Sequence, residues 1–266
     1  MRHVKLVTVF FDLEAPFLWK KSPIFDLESV LNDIHHVLTA TKIKAVFNTC
    51  GDVAEKFPDL VAKLHRDGHE IASHGYAHEN FAKISMTKLD SVLKKTEIVL
   101  EQIIGEKPIG IRSPWLIRNK QIYAVFRKRG YEWVSNLDLS YPSKPLVYKA
   151  IRMVKFMFKS RKPSNIQGLL EIPLLSPLDI FCIQPFPEIL KPSPEDSLRQ
   201  AYQTLITHYM ISRKFFNLNF HPQIIGTMNR LSLLKKILRW VSSQPCVKFV
   251  LSKQICGGFD AKKLDS

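Results

Sequence analysis

The strongest constraint on this chain is the regular alternation of two hydrophobic periods. Residues 4–11, 44–48, 69–72, 109–112, 131–135, 170–172, 215–220 and 247–251 form short apolar runs that read as strands. Between them, residues 27–38, 53–65, 87–103, 120–128, 194–210 and 229–241 carry apolar side chains three and four apart, as helices do. The spacing predicts one continuous helix from Val53 to His65, and Thr87 with Asp90 reads as a capping box opening the next. Repeated strand–helix units predict an α/β chain built on a mostly parallel sheet or barrel.

Several function classes drop out on composition. At 266 residues, 45% hydrophobic and 24% charged, the chain can bury a full core as a single domain over residues 1–266. No run reaches the roughly 18–20 apolar residues of a membrane span. The first apolar run contains Lys5, is stopped by Asp12 and Glu14 and has no small-residue cleavage site, so it reads as a buried strand rather than a secretory leader. Cys50, Cys182, Cys246 and Cys256 show neither a C-x-x-C pair nor a disulfide spacing. Both features predict a cytoplasmic location. The formal charge of +15 makes the surface attractive to anions. No zinc finger, helix-turn-helix or RNA-binding aromatic motif directs that charge to nucleic acid. Residues 144–163 hold seven cations and no acid, interleaved with apolar residues. This insertion reads either as a solvated basic helix or as a docking element for anionic membrane or a lipid-linked sugar at the inner membrane face. Assembly into a homo-oligomer stays open.

Five strand ends concentrate the chemistry, and the C-terminal ends of strands are where barrels of this type place their sites. Asp12 and Glu14 are two apart, so in extended chain both face one cavity. His74 and His78, i and i+4, share a face if the loop enters a helical turn, a geometry suited to two imidazole ligands on one divalent ion. Arg112-Ser113-Pro114-Trp115 offers a guanidinium for a carboxylate, a stiffening proline and an aromatic wall. Ser135-Asn136-Leu137-Asp138 supplies polar groups, with Asp138 the candidate to orient a catalytic residue, or else a simple turn. His221, fixed in direction by Pro222, suits a general acid.

Together these segments resemble the polysaccharide deacetylases, the NodB-homology group also called carbohydrate esterase family 4. The likeness runs through an N-terminal Asp motif at Asp12, H-x-x-x-H at His74 and His78, R-x-P-[YW] at Arg112, Pro114 and Trp115, and a late histidine motif at Leu218-Asn219-Phe220-His221. Leu13 separates the two carboxylates, Gly75 stands where Ser or Thr is common, and the L-x-H spacing is widened by one. The first two features resemble a cytoplasmic branch with peptidoglycan-deacetylase-like and allantoinase-like members. The resemblance implies a distorted (β/α) barrel and a divalent metal, Zn²⁺ foremost with Co²⁺, Ni²⁺ or Fe²⁺ compatible, on Glu14, His74 and His78. It implies Asp12 as base, Arg112 as its partner, the backbone N–H of Trp115 at the oxyanion and His221 as acid. The expected substrate is an N-acetylated sugar of a polysaccharide or glycan precursor. Alternatives are a small amide, cyclic ureide, imide or N-formyl substrate, or a non-catalytic glycan-binding relic.

Overall fold

The computed structural model describes residues 4–14, 26–137, 162–175, 179, 215–226 and 230–257. The helix expected over 194–210, Asp138, Cys182 and the basic stretch up to residue 161 lie outside the described residues. In chain order the elements are β1 (Lys5–Leu13), α1 (Leu27–Thr41), β2 (Val46–Thr49), α2 (Gly51–Lys56), α3 (Pro58–Arg66), β3 (Glu70–Ser73), α4 (Met86–Ile104), β4 (Gly110–Ile111), α5 (Lys120–Lys128), β5 (Trp133–Val134), β6 (Ser164–Ile166), β7 (Leu169–Glu171), β8 (Phe215–Phe220), α6 (Pro222–Ile225), α7 (Arg230–Ser242), β9 (Val247–Phe249) and α8 (Ser252–Cys256).

The strands form one curled, mostly parallel sheet, a half-barrel, in the order β6-β7-β5-β4-β3-β2-β1-β8. Strand β9 pairs with the first residues of β1. Among the described pairings only β6 with β7 is antiparallel, closed by Gln167 and Gly168, both at positive φ as a two-residue hairpin turn requires. Strand β1 is buried at every position after Lys5. Its near-continuous apolar run is what a parallel strand covered on both faces needs. Register then aligns the strand ends: Asp12 lies beside Asn48 of β2, and Phe10 beside Asn219 of β8. Strand β3 pairs with β2 through Thr49 and Ser73, and with β4 through Ser73 and Ile111.

Two expectations about helices are corrected. The segment from Val53 to His65 is two helices, because Pro58 has no N–H to continue the first and instead opens the second. Helix α4 is capped by Ser85, whose hydroxyl accepts from Lys88 N at 3.1 Å, rather than by Thr87. The main core lies between sheet and helices and includes Phe10, Phe47, Leu64, Phe220 and Leu238. A second cluster, around Phe81, Leu93, Phe126 and Tyr131, anchors the loop after β3 through the fully buried Phe81. At Gly110 an added Cβ would lie 1.9 Å from the Trp133 ring, so only glycine lets β4 and β5 pair over that indole. Among the described residues no helix is long and apolar enough to cross a membrane.

Candidate active site

Strand ends β1, β3, β4, β5 and β8 converge on one buried cluster of charge. Arg112, fully buried at the end of β4, is its centre. Its Nη1 donates to Asp12 Oδ1 at 2.8 Å, and its Nη2 donates to Ser135 Oγ and to Asn219 Oδ1, each at 3.0 Å. The guanidinium also stacks over Phe10, 4.4 Å from the ring centroid. Asn48 Nδ2 donates to the same Asp12 oxygen at 2.6 Å. Burial by itself would raise the Asp12 pKa. The positive charge of Arg112, with the nearby His74 and His221 rings and the Asn48 hydrogen bond, outweighs it and holds the carboxyl below its ordinary value.

The two histidines of the β3 loop come together by a route other than the one expected. Residues 74–79 form no helical turn. Gly75 at φ 75° and His78 at φ 57° are left-handed, and these kinks fold the loop so that the two rings sit 5.1 Å apart. Gly51 N and Asp52 N donate to the carbonyls of Gly75 and Tyr76, tying the loop to α2. Glu14 Oε2 faces both imidazoles, 2.8 Å from His78 Nε2 and 3.6 Å from His74 Nε2. Burial opposes ionisation of Glu14, but the facing side chains of His74 and His78 prevail and hold its pKa well below the carboxylate range.

Glu14, His74 and His78 offer donor atoms that all lie within 4.8 Å of one another. Whether they fit a metal is tested by His74. Its Nδ1 lies 2.8 Å from the Arg112 carbonyl oxygen, which only accepts, so Nδ1 carries the proton. In the neutral ring Nε2 is then a lone pair. It is buried and makes no hydrogen bond among the described residues. A lone pair aimed at a carboxylate oxygen is repulsive unless a cation lies between, so these residues fit a divalent ion, with one carboxylate oxygen and two nitrogens as donors.

His221, just past β8, completes the cluster. Its Nε2 lies 3.9 Å from Asp12 Oδ2 and 4.0 Å from Glu14 Oε1. Asp179 Oδ1 pairs with its Nδ1 at 2.6 Å, and Asp179 Oδ2 accepts from its backbone N at 2.7 Å. Burial would lower the His221 pKa, but the Asp179 carboxylate raises it, to about 9. Pro114 is buried, whereas Trp115 is 59% exposed at the mouth of the cluster, its ring 5.5 Å from that of His78. Trp115 and Leu116 both hold positive φ, 60° and 54°, a conformation costly for bulky residues and typical of functional turns. Ser113 N, just before them, donates to Asn136 Oδ1 at 2.7 Å, and Asn136 N and Leu137 N donate to the buried Glu171.

The structure thus brings together Asp12, Glu14, His74, His78, Arg112, Trp115 and His221. The polar group beside Arg112 from the β5 end is Ser135; Asp138, expected there, lies outside the described residues. Asn48, Glu171, Asp179 and Gln223, which donates to Glu14 Oε1 at 2.9 Å, were not singled out by the sequence, and Asn136 and Asn219 entered only as members of their segments with no role of their own. A signal existed for one of them: in β8, Asn217, Asn219 and then His221 alternate with Phe216, Leu218 and Phe220, a polar face of period two inside an apolar run.

The chain is similar to several known proteins. Residues 3–134 match the family model for polysaccharide deacetylase. A peptidoglycan-N-acetylglucosamine deacetylase of Bacillus cereus is 38% identical over 73 residues, 27% of this chain and 26% of that protein. Among solved structures, a Mycobacterium smegmatis protein assigned to the polysaccharide deacetylases superposes with TM-score 0.77 at 19% identity, covering 98% of this chain and 92% of that one. An allantoinase superposes with TM-score 0.66 at 17% identity, over 96% of this chain and 89% of its own. A carbohydrate esterase family 4 pseudoenzyme from Bacillus anthracis gives 0.60 at 13%, over 93% and 64%. The aligned segment is about a quarter of the Bacillus cereus protein, and the structural matches establish the fold. Residues 3–134, just under half of the chain, thus carry a polysaccharide deacetylase match.

Proposed function

We propose that this chain is a metal-dependent amide hydrolase that removes the acetyl group from an N-acetylated amino sugar of a polysaccharide, peptidoglycan being the class nearest its relatives. The observation that carries the reading is the His74 imidazole, whose Nδ1 is fixed by the Arg112 carbonyl so that Nε2 faces Glu14 within the cluster of three candidate ligand atoms. A divalent ion held by Glu14, His74 and His78 supplies Lewis acidity toward the amide carbonyl and lowers the pKa of water. The other residues divide the proton transfers. Asp12, with Oδ1 engaged by Arg112 and Asn48, turns Oδ2 toward His221 and is placed to accept a proton from water. His221, aimed by Asp179, presents Nε2 from the neighbouring strand to protonate the leaving amine. Trp115 forms an exposed wall suited to a sugar ring beside His78.

The test combines metal analysis of protein purified without chelator with acetate release from N-acetylglucosamine oligomers and peptidoglycan fragments. Near-stoichiometric metal, activity lost to a chelator and restored by Zn²⁺, and joint loss of metal and activity in a folded His74→Ala are expected. Full metal occupancy in His74→Ala overturns the site. Hydrolysis of small amides, ureides or formamides with no acetate from glycans shifts the reading to a small-amide hydrolase. Glycan binding without any hydrolysis makes the chain a non-catalytic binder.

A further inference from the structure

The side-chain amide of Gln223 sits against the carboxylate that faces the two imidazoles. Gln223 lies two residues after His221, in the four-residue helix α6 opened by Pro222. This turn is rigidly seated. Ile224 N and Ile225 N both donate to the His221 carbonyl at 2.9 Å, and Gly226 N donates to Pro222 O at 2.9 Å. A Cβ on Gly226 would fall 2.2 Å from Val30 of α1, so the turn packs directly on that helix. From it Gln223 Nε2 reaches Glu14 Oε1 at 2.9 Å. A carboxylate only accepts, so the NH₂ end of the amide must be the end that faces it.

Glu14 has two oxygens with different surroundings. Oε2 faces His74 and His78, whereas Oε1 accepts from Gln223 and lies 4.0 Å from His221 Nε2. Glutamate has one more rotatable bond than aspartate, and Glu14 stands one residue beyond the end of β1, so backbone alone does not fix where its oxygens point. We infer that Gln223 is a positioning residue for the metal site: its amide N–H holds Oε1 and so presents Oε2 alone to the ion shared with the histidines. One loop thereby serves both halves of the site, His221 toward Asp12 and Gln223 toward Glu14. The inference rests on the metal-site reading given above.

The experiment titrates metal-free wild type, Gln223→Met, Gln223→Ala and Glu14→Gln with Zn²⁺ against a chromophoric chelator. The visible spectrum of each Co²⁺-loaded protein and the thermal melt of each metal-free protein are recorded alongside. Gln223→Met keeps length and volume but cannot donate, so it guards against a folding defect in Gln223→Ala. Partners that orient a metal ligand are typically worth ~10–100-fold in affinity. Gln223→Met and Gln223→Ala are therefore expected to bind Zn²⁺ ~10–100-fold more weakly with an altered Co²⁺ spectrum and unchanged metal-free melts. If Gln223→Met binds Zn²⁺ and Co²⁺ as wild type while Glu14→Gln is impaired, the positioning role is refuted and the metal site stands. If Glu14→Gln also binds as wild type, or wild type binds no Zn²⁺, the metal-site reading itself fails and the Gln223 role with it.

Discussion

The two ends of strand β3 bury titratable groups to opposite effect. At its C-terminal end, His74 joins Asp12, Glu14, Arg112 and His221, and there opposite charges overcome burial: both carboxylates are pushed down and His221 is pushed up. At its N-terminal end, Glu70 and His69 are just as buried, but burial prevails. Glu70 is raised to about 7 and His69 lowered to about 4, so both favour their neutral forms. Burial therefore does not mark a site. What separates the two ends is that buried opposite charges meet at close range at one, Arg112 on Asp12 and Asp179 on His221, whereas at the other Lys253 and Asp67 do not outweigh burial.

The largest expected effect tests whether the charged end acts as one unit. Asp12→Asn retains the Asn48 and Arg112 neighbours yet cannot take a proton. Its kcat is expected to fall by ~10²–10⁴ with metal content unchanged, the usual scale of a general base. If Asp12→Asn empties the metal while Glu14→Gln keeps it, the two carboxylates have exchanged roles. A smaller loss is expected for Asp179→Asn. His221 keeps its place after Pro222 but loses the carboxylate that orients its ring, and kcat is expected to drop ~10–100-fold with KM little changed, as for partners that orient a functional histidine. A change confined to KM would assign Asp179 to substrate binding instead.

Legibility in the sequence followed the same division. The succession of strands and helices was readable because a period of two against 3.6 survives in short windows, and residues 120–128 and 215–220 match α5 and β8 end to end. The charged strand ends were readable because Asp, Glu, His and Arg stand out after apolar runs. Their partners were not. Asn48 and Glu171 look like ordinary strand residues, and only lateral register tells that Asn48 lies beside Asp12. Glu171 is 35 residues from Asn136, whose backbone N–H it accepts, a contact no local pattern encodes. The left-handed His78 was hidden for another reason: i, i+4 spacing suggests a helical turn, but Gly75 permits the tighter kink the loop takes.

A third, structural test concerns the strut that links the Arg112 loop to β7. Glu171 accepts from Asn136 N and Leu137 N at 2.8 Å and from the Tyr123 hydroxyl at 2.5 Å. Asn136 in turn holds Ser113, before the strained Trp115. Asn136→Ala leaves Ser113 N without its acceptor, and a buried unsatisfied donor costs about 1–3 kcal/mol. Chemical denaturation should show a loss of that size, with a raised KM if Trp115 contacts the sugar. No change in stability would mean that water replaces the amide.

The least conspicuous prediction lies at the uncharged end, where two neighbours oppose each other. Burial raises Glu70 from its ordinary 4.5 to about 7, despite the N–H groups of Lys253 and Trp133 that it accepts. Between those values the folded chain holds a proton that the unfolded chain has lost, so Glu70 makes stability fall as pH rises from about 4.5 to about 7. Burial lowers His69 from 6.5 to about 4, helped by the charges of Lys44 and His35. Here the unfolded chain takes the proton first, so His69 makes stability fall as pH drops from 6.5 to about 4. From about pH 4.5 to 6.5 the two slopes oppose and largely cancel. Each slope is at most ~1.4 kcal/mol per pH unit. Glu70→Gln removes one of them, and whatever it does to absolute stability, its unfolding free energy should climb more steeply with pH across that window than that of wild type. Urea titrations at half-unit steps measure the difference between the two profiles. Parallel profiles would show that Glu70 is ionised in the fold throughout, and that the N-terminal end of β3 carries a charge after all.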